Sequence, residues 1–405
     1  MIAGLPAGGA VRLEQLVRER TEANTRFFAA EADRIARLCH RMAERFARGG
    51  RLVAFGWTPA ARSDVRHVAV EFVHPVIVGK RALPALGLSR EGGPLAAQVA
   101  LVAQPGDIAL AFGEADDAET AAAVGVAAAR GCLTVAFAPL GAASEFLPPA
   151  RDPFIRQELV ETLYHVLWEL VHVFFEHRGL LEGREGRASR DVGASRFLYP
   201  FLGEHERDLE AVVTDVRASV LLKSAETGTL RAATLTGNQE QLLAAAAALR
   251  RIFDAGGQLL ALGNGGSATD AMDAVADWRT PPEGWPARPA LDLTEDSAIL
   301  TALANDIGTD ALFSRQIIAY GRPGDAVLAF STSGNSRNVI EALAEARRRG
   351  LESIAFVGYD GGRILTERLA DHVIVTRSEH IPRIQEAQAG AFHVLRELVE
   401  RESPR

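Results

Sequence analysis

Lysine is nearly missing from this 405-residue chain: it stands only at Lys80 and Lys223, and arginine supplies almost all the positive charge. No glycine-rich loop is followed by Lys-Ser or Lys-Thr, which excludes a Walker-type nucleotide loop. Cysteine is equally scarce. Cys39 and Cys132 lie far apart, which argues against a disulfide framework or a cysteine-ligated zinc and for two small buried apolar side chains. Long apolar runs are absent too: none reaches the ~18–20 residues that a membrane span needs. The opening MIAGLPAGGAVRLEQ lacks the basic and apolar regions of a signal peptide, so a cytoplasmic protein with no membrane partner is expected. A net charge of −8 argues against a surface that coats nucleic acid, yet leaves room for small anions bound by local donors.

What is present is a soluble composition, 48% hydrophobic and 24% charged, on a chain long enough for two domains. Four stretches recur in the same order. GGRLVAFG (49–56) returns as GGQLLALG (256–263), PGDIALAF (105–112) as PGDAVLAF (323–330), GCLTVAFAP (131–139) as GLESIAFVG (350–358), and HVLWELV (165–171) as HVLRELV (393–399). The chain is a tandem duplication with halves of 1–190 and 200–405, and the charged stretch 177–195 reads as the linker. Short apolar runs alternate with helical stretches in each half, the pattern of a parallel sheet covered on both faces. Each half is therefore expected to be α/β, a flavodoxin-like αβα sandwich. Long amphipathic helices open each half, and such helices pack against a partner domain.

The second half carries two loops that leave a strand and enter a helix. In GNGGSATD the glycines let backbone N–H groups approach a ligand at the positive end of a helix. FSTSGNSRNV offers a cluster of hydroxyls. Either loop alone could be a plain helix cap; both at corresponding strand ends favour an anion site.

These stretches, with LTEDSAILTALANDIG and RIQEAQAGAFHVLRELVE, resemble the sugar isomerase (SIS) domain of phosphoheptose isomerases, over essentially all of 200–405. The resemblance implies two tandem SIS domains and a sugar phosphate held by Asn264, Gly265, Gly266, Ser267, Ser331, Thr332, Ser333 and Ser336, with Asp296 on the sugar hydroxyls. It implies an aldose–ketose isomerisation, sedoheptulose 7-phosphate to D-glycero-D-manno-heptose 7-phosphate through an enediol, with a glutamate base and a histidine acid. It also implies a zinc held by a His-x3-Glu pair and a Gln-x7-His pair. The single-domain family forms tetramers, so a homodimer of four SIS domains is expected.

The two halves depart from that pattern in complementary ways. The second keeps Gln385 and His393 but has Asp273 and Asp277 in place of the first pair, each aspartate one methylene short of a glutamate or differing from a histidine. The first keeps His67, Glu71, Gln157 and His165 in register. It lacks the phosphate cradle: Pro59, without an N–H, and Ala60 replace Gly266 and Ser267, and Glu114, Asp116 and Asp117 stand where the other half has hydroxyls. A division of labour follows as an expectation. The second half holds the phosphate, while the first supplies Glu71 and His165 for catalysis and His67, Glu71, Gln157 and His165 for metal. The fallback is a decayed first half, with Asp277 and His393 catalytic and Asp273, Asp277, Gln385 and His393 as ligands.

Competing readings are a non-catalytic SIS sugar-phosphate-binding or regulatory protein, which Asp277 favours, and an amino-sugar isomerase of the glucosamine-6-phosphate synthase type or a phosphoglucose-isomerase relative. The synthase type uses a lysine near its C-terminal tail, and RELVERESPR has none. No helix-turn-helix head precedes either half, so a sugar-responsive repressor is not expected.

Overall fold

A computed structural model describes residues 7–76, 80–176 and 208–401; the expected linker at 177–195 lies outside them. The first half runs α1 (Ala7–Ala47), β1 (Leu52–Gly56), α2 (Pro59–Val73), β2 (Ala85–Leu88), α3 (Leu95–Val102), β3 (Ile108–Phe112), α4 (Ala118–Ala129), β4 (Leu133–Ala136), β5 (Ser144–Glu145) and α5 (Pro153–Glu176). The second runs α6 (Leu209–Gly237), α7 (Gln239–Asp254), β6 (Leu259–Leu262), α8 (Gly266–Arg279), β7 (Ala290–Asp292), α9 (Ser297–Asp306), α10 (Ser314–Tyr320), β8 (Ala326–Ser331), α11 (Arg337–Arg349), β9 (Glu352–Val357), α12 (Gly362–Thr366), β10 (His372–Val375) and α13 (Ile381–Arg401).

The first sheet has the order β2-β1-β3-β4-β5 and the second β7-β6-β8-β9-β10, with every pair parallel. One strand order written twice is what the sequence repeat requires. Central strands are buried on both faces, which is why they read as unbroken apolar runs. In β6, Leu259 and Ala261 join the core beneath α7, α8 and α13, whereas Leu260 and Leu262 join the core beneath α10 and α11. The same alternation divides Ala326, Leu328 and Phe330 from Val327 and Ala329 in β8. Cys39 is buried and Cys132 half-buried, both as free thiols. Among the described residues no helix is long and apolar enough to cross a membrane.

Compactness does not follow the halves of the sequence. One unit comprises residues up to Glu22, Asp152–Glu158 and Glu226–Arg405, and the other Ala23–Arg151 and Leu159–Ala225. Leu13 and Leu16 on α1 therefore pack into the core of the unit that holds β6–β10. Arg20 anchors them. Its Nε donates to Glu158 Oε1 at 3.0 Å and its second terminal nitrogen to Glu397 Oε1 at 3.0 Å, all three side chains being about fully buried.

Truncating one partner of a buried ionic cluster leaves the others desolvated and uncompensated. Arg20→Met is expected to destabilise this unit by about 3–5 kcal/mol, measured by denaturant unfolding. The double variant Arg20→Met/Glu158→Gln should lose less than the sum of its parts, because it removes a stranded charge.

Candidate active site

β6 pairs with β7 on one side and β8 on the other, so the chain reverses its direction of travel across the sheet between β6 and β8. The carboxyl ends of those two strands flank a topological switch point, where ligands of open α/β sheets bind. Both candidate loops emerge there. Gly263 is required by close approach, since a Cβ would lie 2.1 Å from Ser267 O. Gly265 has φ of 58° and ψ of −125°, a conformation that suits glycine. α8 starts at Gly266, with Ser267 buried at its first turn.

The second loop folds on itself: Gly334 N donates to Ser331 Oγ at 3.2 Å, Asn335 N to Ser333 Oγ at 3.1 Å, and the Ser331 and Ser336 hydroxyls lie 3.4 Å apart. Thr332 and Ser333 remain half-buried. The loops are tied together by Asn264 and Asn338, whose amides exchange hydrogen bonds at 2.8 and 2.9 Å. Asn338 carried no signal in the sequence beyond its place in a helix start. Two helix N-termini and a set of hydroxyls thus face one crevice, an arrangement suited to a phosphate. Asp296 is exposed and caps α9, its Oδ1 accepting from Ala298 N and Ile299 N.

The corresponding ends of β1 and β3 are built differently. Thr58 caps α2 by accepting from Ala61 N, and Pro59 opens the helix without an N–H. Asp117 accepts from both Thr120 N and Thr120 Oγ1 at the start of α4. Arg90 lies over the Trp57 ring at 4.9 Å. Carboxylate and threonine side chains have taken the donors that a phosphate would need.

Two groups of buried side chains offer converging ligand atoms, each within 4.8 Å of one another: Asp273, Asp277 and His393, and His67, Glu161 and His165. In the first, His393 Nε2 stands 3.4 Å from Asp273 Oδ2 and 3.4 Å from Asp277 Oδ2, while Nδ1 meets Glu158 Oε1 at 3.0 Å. Gln157 Nε2 donates to Asp273 Oδ1, and the Phe154 ring stacks on His393 at 4.8 Å. Burial alone would push the His393 pKa down, but Asp273, Glu158 and Asp277 outweigh it and hold it well above the usual value. Burial pushes Glu158 up, yet Arg20, His393 and Arg231 bring it down to about 2. Asp277 is raised well above its ordinary value by burial and by Asp273. The cluster is a charge network organised around an imidazolium.

In the second group, α2 presents His67 and Glu71 one turn apart and α5 presents Glu161 and His165 one turn apart, all buried. His67 Nδ1 meets the Tyr164 hydroxyl at 3.0 Å, which turns its Nε2 toward His165 Nε2 at 3.3 Å. Glu71 Oε1 is 4.0 Å from His67 Nε2. Burial, then the neighbouring His165, hold the His67 pKa well below its usual value, so the ring is neutral and able to ligate.

The four first-half residues expected together are therefore not all together. His67, Glu71 and His165 share a cluster, but Gln157 is on Asp273. Glu158 and Glu161, absent from the expected set, occupy the two clusters. Glu161 was discernible, since it lies one helical turn before His165 where the second copy has Ala389.

Residues 225–358 match the family model described as SIS domain. The chain is 44% identical over 169 residues to a phosphoheptose isomerase of Chlorobium phaeobacteroides, spanning 41% of this chain and 74% of that protein. It is 44% identical over 154 residues to one of Thermodesulfovibrio yellowstonii, spanning 38% and 75%. Among solved structures, tagatose-6-phosphate ketose/aldose isomerase of Escherichia coli is similar over 99% of this chain and 97% of its own, with TM-score 0.57 at 14% identity. The C-terminal domain of glucosamine-fructose-6-phosphate aminotransferase of Francisella tularensis is similar over 95% and 93%, with TM-score 0.58 at 10% identity. These two likenesses establish a shared fold with two sheets.

An anion site at the β6–β8 crevice makes a directional demand. Ser333→Asp places a carboxylate among the loop hydroxyls and should abolish binding of phosphate esters by calorimetry, while Asp116→Ser should leave it unchanged. Equal losses would remove the crevice from consideration.

Proposed function

Because this chain belongs to the phosphoheptose isomerase family of SIS-domain proteins, we propose that it converts sedoheptulose 7-phosphate to D-glycero-D-manno-heptose 7-phosphate through an enediol. At the coarser level it is an aldose–ketose isomerase of sugar phosphates. The observation that carries the reading is the paired loop set at the β6–β8 switch point, which lies within the matched SIS segment. We assign the phosphate to Asn264, Gly265, Gly266, Ser267, Ser331, Thr332, Ser333 and Ser336, and the sugar hydroxyls to Asp296.

The reaction moves a proton between C1 and C2. A base takes it from one carbon, the enediol forms, and the proton is returned to the other carbon, while an acid exchanges a proton with the carbonyl and hydroxyl oxygens. We assign the base to Glu71 and the acid to His165. The fallback pair is disfavoured because Asp277 is one methylene shorter than the glutamate of the family pattern, and misplacement by about 1 Å can cost about 100-fold in rate.

The residues around His67 and His165 fit a divalent metal such as zinc: two imidazoles and carboxylates, dry and converging. Such an ion, when bound, supplies a Lewis acid that polarises an oxygen.

Glu71→Gln should lower turnover of sedoheptulose 7-phosphate about 100- to 10,000-fold with phosphate-ester affinity near normal, because a general base contributes to the transition state more than to ground-state binding. Asp277→Asn should retain most activity if it folds. Activity that survives Glu71→Gln and is lost in Asp277→Asn would transfer catalysis to the second copy. Phosphate-ester binding with no turnover in the unmodified protein would make the chain a binding protein.

A further inference from the structure

The glutamine that the family pattern assigns to the metal of the first copy is engaged elsewhere. Gln157 donates to Asp273 in the unit holding β6–β10. One helical turn further along α5, Glu161 projects beside His165, and its carboxylate lies within 4.8 Å of the ligand nitrogens of His67 and His165. All three side chains are buried. Two nitrogens on one tetrahedral zinc, each about 2.0–2.1 Å from the ion, stand about 3.3–3.4 Å apart. His67 Nε2 and His165 Nε2 are 3.3 Å apart. The Tyr164 hydroxyl on His67 Nδ1 fixes the ring so that Nε2 points at the shared centre, the orienting contact that metal-bound histidines have.

We propose that His67, Glu161 and His165 form a three-ligand site for a divalent cation, with Glu161 replacing the glutamine and the fourth position open. Glu71 is not a ligand in this arrangement. Its carboxylate, 4.0 Å from His67 Nε2, does not belong to the group of mutually close ligand atoms and is left to accept a proton. Two histidines and one glutamate with an open fourth position is the composition of catalytic rather than closed structural zinc. The second copy cannot repeat the site, because Ala389 stands where Glu161 does and two aspartates replace the histidine–glutamate pair. One ion at this site per chain follows. The proposal deepens the assignment of metal to the first copy and does not depend on which sugar is turned over.

The test is metal content and affinity rather than rate. The full-length protein is stripped with chelator, then titrated with zinc alone and, in parallel, with cobalt followed by its visible absorption. The unmodified chain should bind one equivalent with a tetrahedral cobalt spectrum. Glu161→Gln, which keeps size and removes charge, should weaken zinc binding at least about tenfold, with His67→Ala and His165→Ala behaving alike. Glu71→Gln and Gln157→Ala should each still bind one equivalent. Unchanged far-ultraviolet circular dichroism and thermal midpoint of the stripped Glu161→Gln protein exclude misfolding. Where Glu161→Gln is too unstable, Glu161→Asp, which keeps the charge and retracts it, should weaken binding less than His67→Ala. Zinc retained by Glu161→Gln, or lost in Gln157→Ala, overturns the ligand set. Zinc lost only in Asp277→Asn moves the ion to the other cluster and overturns the proposal. No zinc bound by the unmodified chain overturns the metal centre while leaving the isomerase reading to its own test.

Discussion

A single buried carboxylate, Glu158, sets the organisation of the unit that holds the second sheet. It accepts from Arg20 and from His393 and lies near Arg231, so α1, α5, α6 and α13 meet at one point. A carboxylate out of water must be paired or neutralised. Here pairing wins, and the ionised form is favoured strongly enough to bring its pKa to about 2 despite burial. Moving any of these helices would strand a charge, so their register is narrowly defined. Gln157 is carried to Asp273 by the same turn of helix, and Phe154 is carried onto the His393 ring. The pinned imidazolium follows from that packing.

The two copies have the same strand order but differ at their loop ends and in their helix-borne clusters. At the second switch point the backbone stays open, with glycines where side chains would collide and an asparagine pair bridging the loops. At the first, side-chain caps have consumed the helix-end donors. In the helix-borne clusters the asymmetry is reversed: His67, its pKa held well below the usual value by burial, faces His165 in the first copy, and His393, its pKa raised by carboxylate neighbours, faces two aspartates in the second. Electrostatics explains both outcomes. An imidazole kept unprotonated by burial is ready to ligate a cation, whereas the His393 ring already has Glu158, Asp273 and Asp277 as partners.

The sheet was legible in the sequence wherever strands are central. β1, β3, β4, β6, β8 and β9 are unbroken apolar runs because both faces are covered. β2, β5, β7 and β10 were missed, since short edge strands such as Ser144–Glu145 and Ala290–Asp292 carry too few residues for a pattern. The loops were legible because glycine and hydroxyl positions record local backbone geometry. The partnership of Gln157 was not. An eight-residue spacing shows that Gln157 and His165 share a helix face, but a long helix can give its first turn to one core and its later turns to another. Spacing within an element carries no information about which neighbour each turn meets. Asn338 was hidden for a related reason: its partner is a residue 74 positions away.

The sharing of α1 and α5 between compact units has a consequence for the gene. A fusion of two like domains ordinarily remains reversible: cut the connector, and each product folds. Here Arg20 and Glu158 are encoded in the first half but buried in the unit made mostly from the second, and Gln157 sits half-buried in the same unit. A gene split at the connector would yield a second product with His393 and Glu397 facing solvent or each other's charge, deprived of the side chains that balance them. Separating the halves would therefore cost the second its charge balance, although each half carries its own sheet.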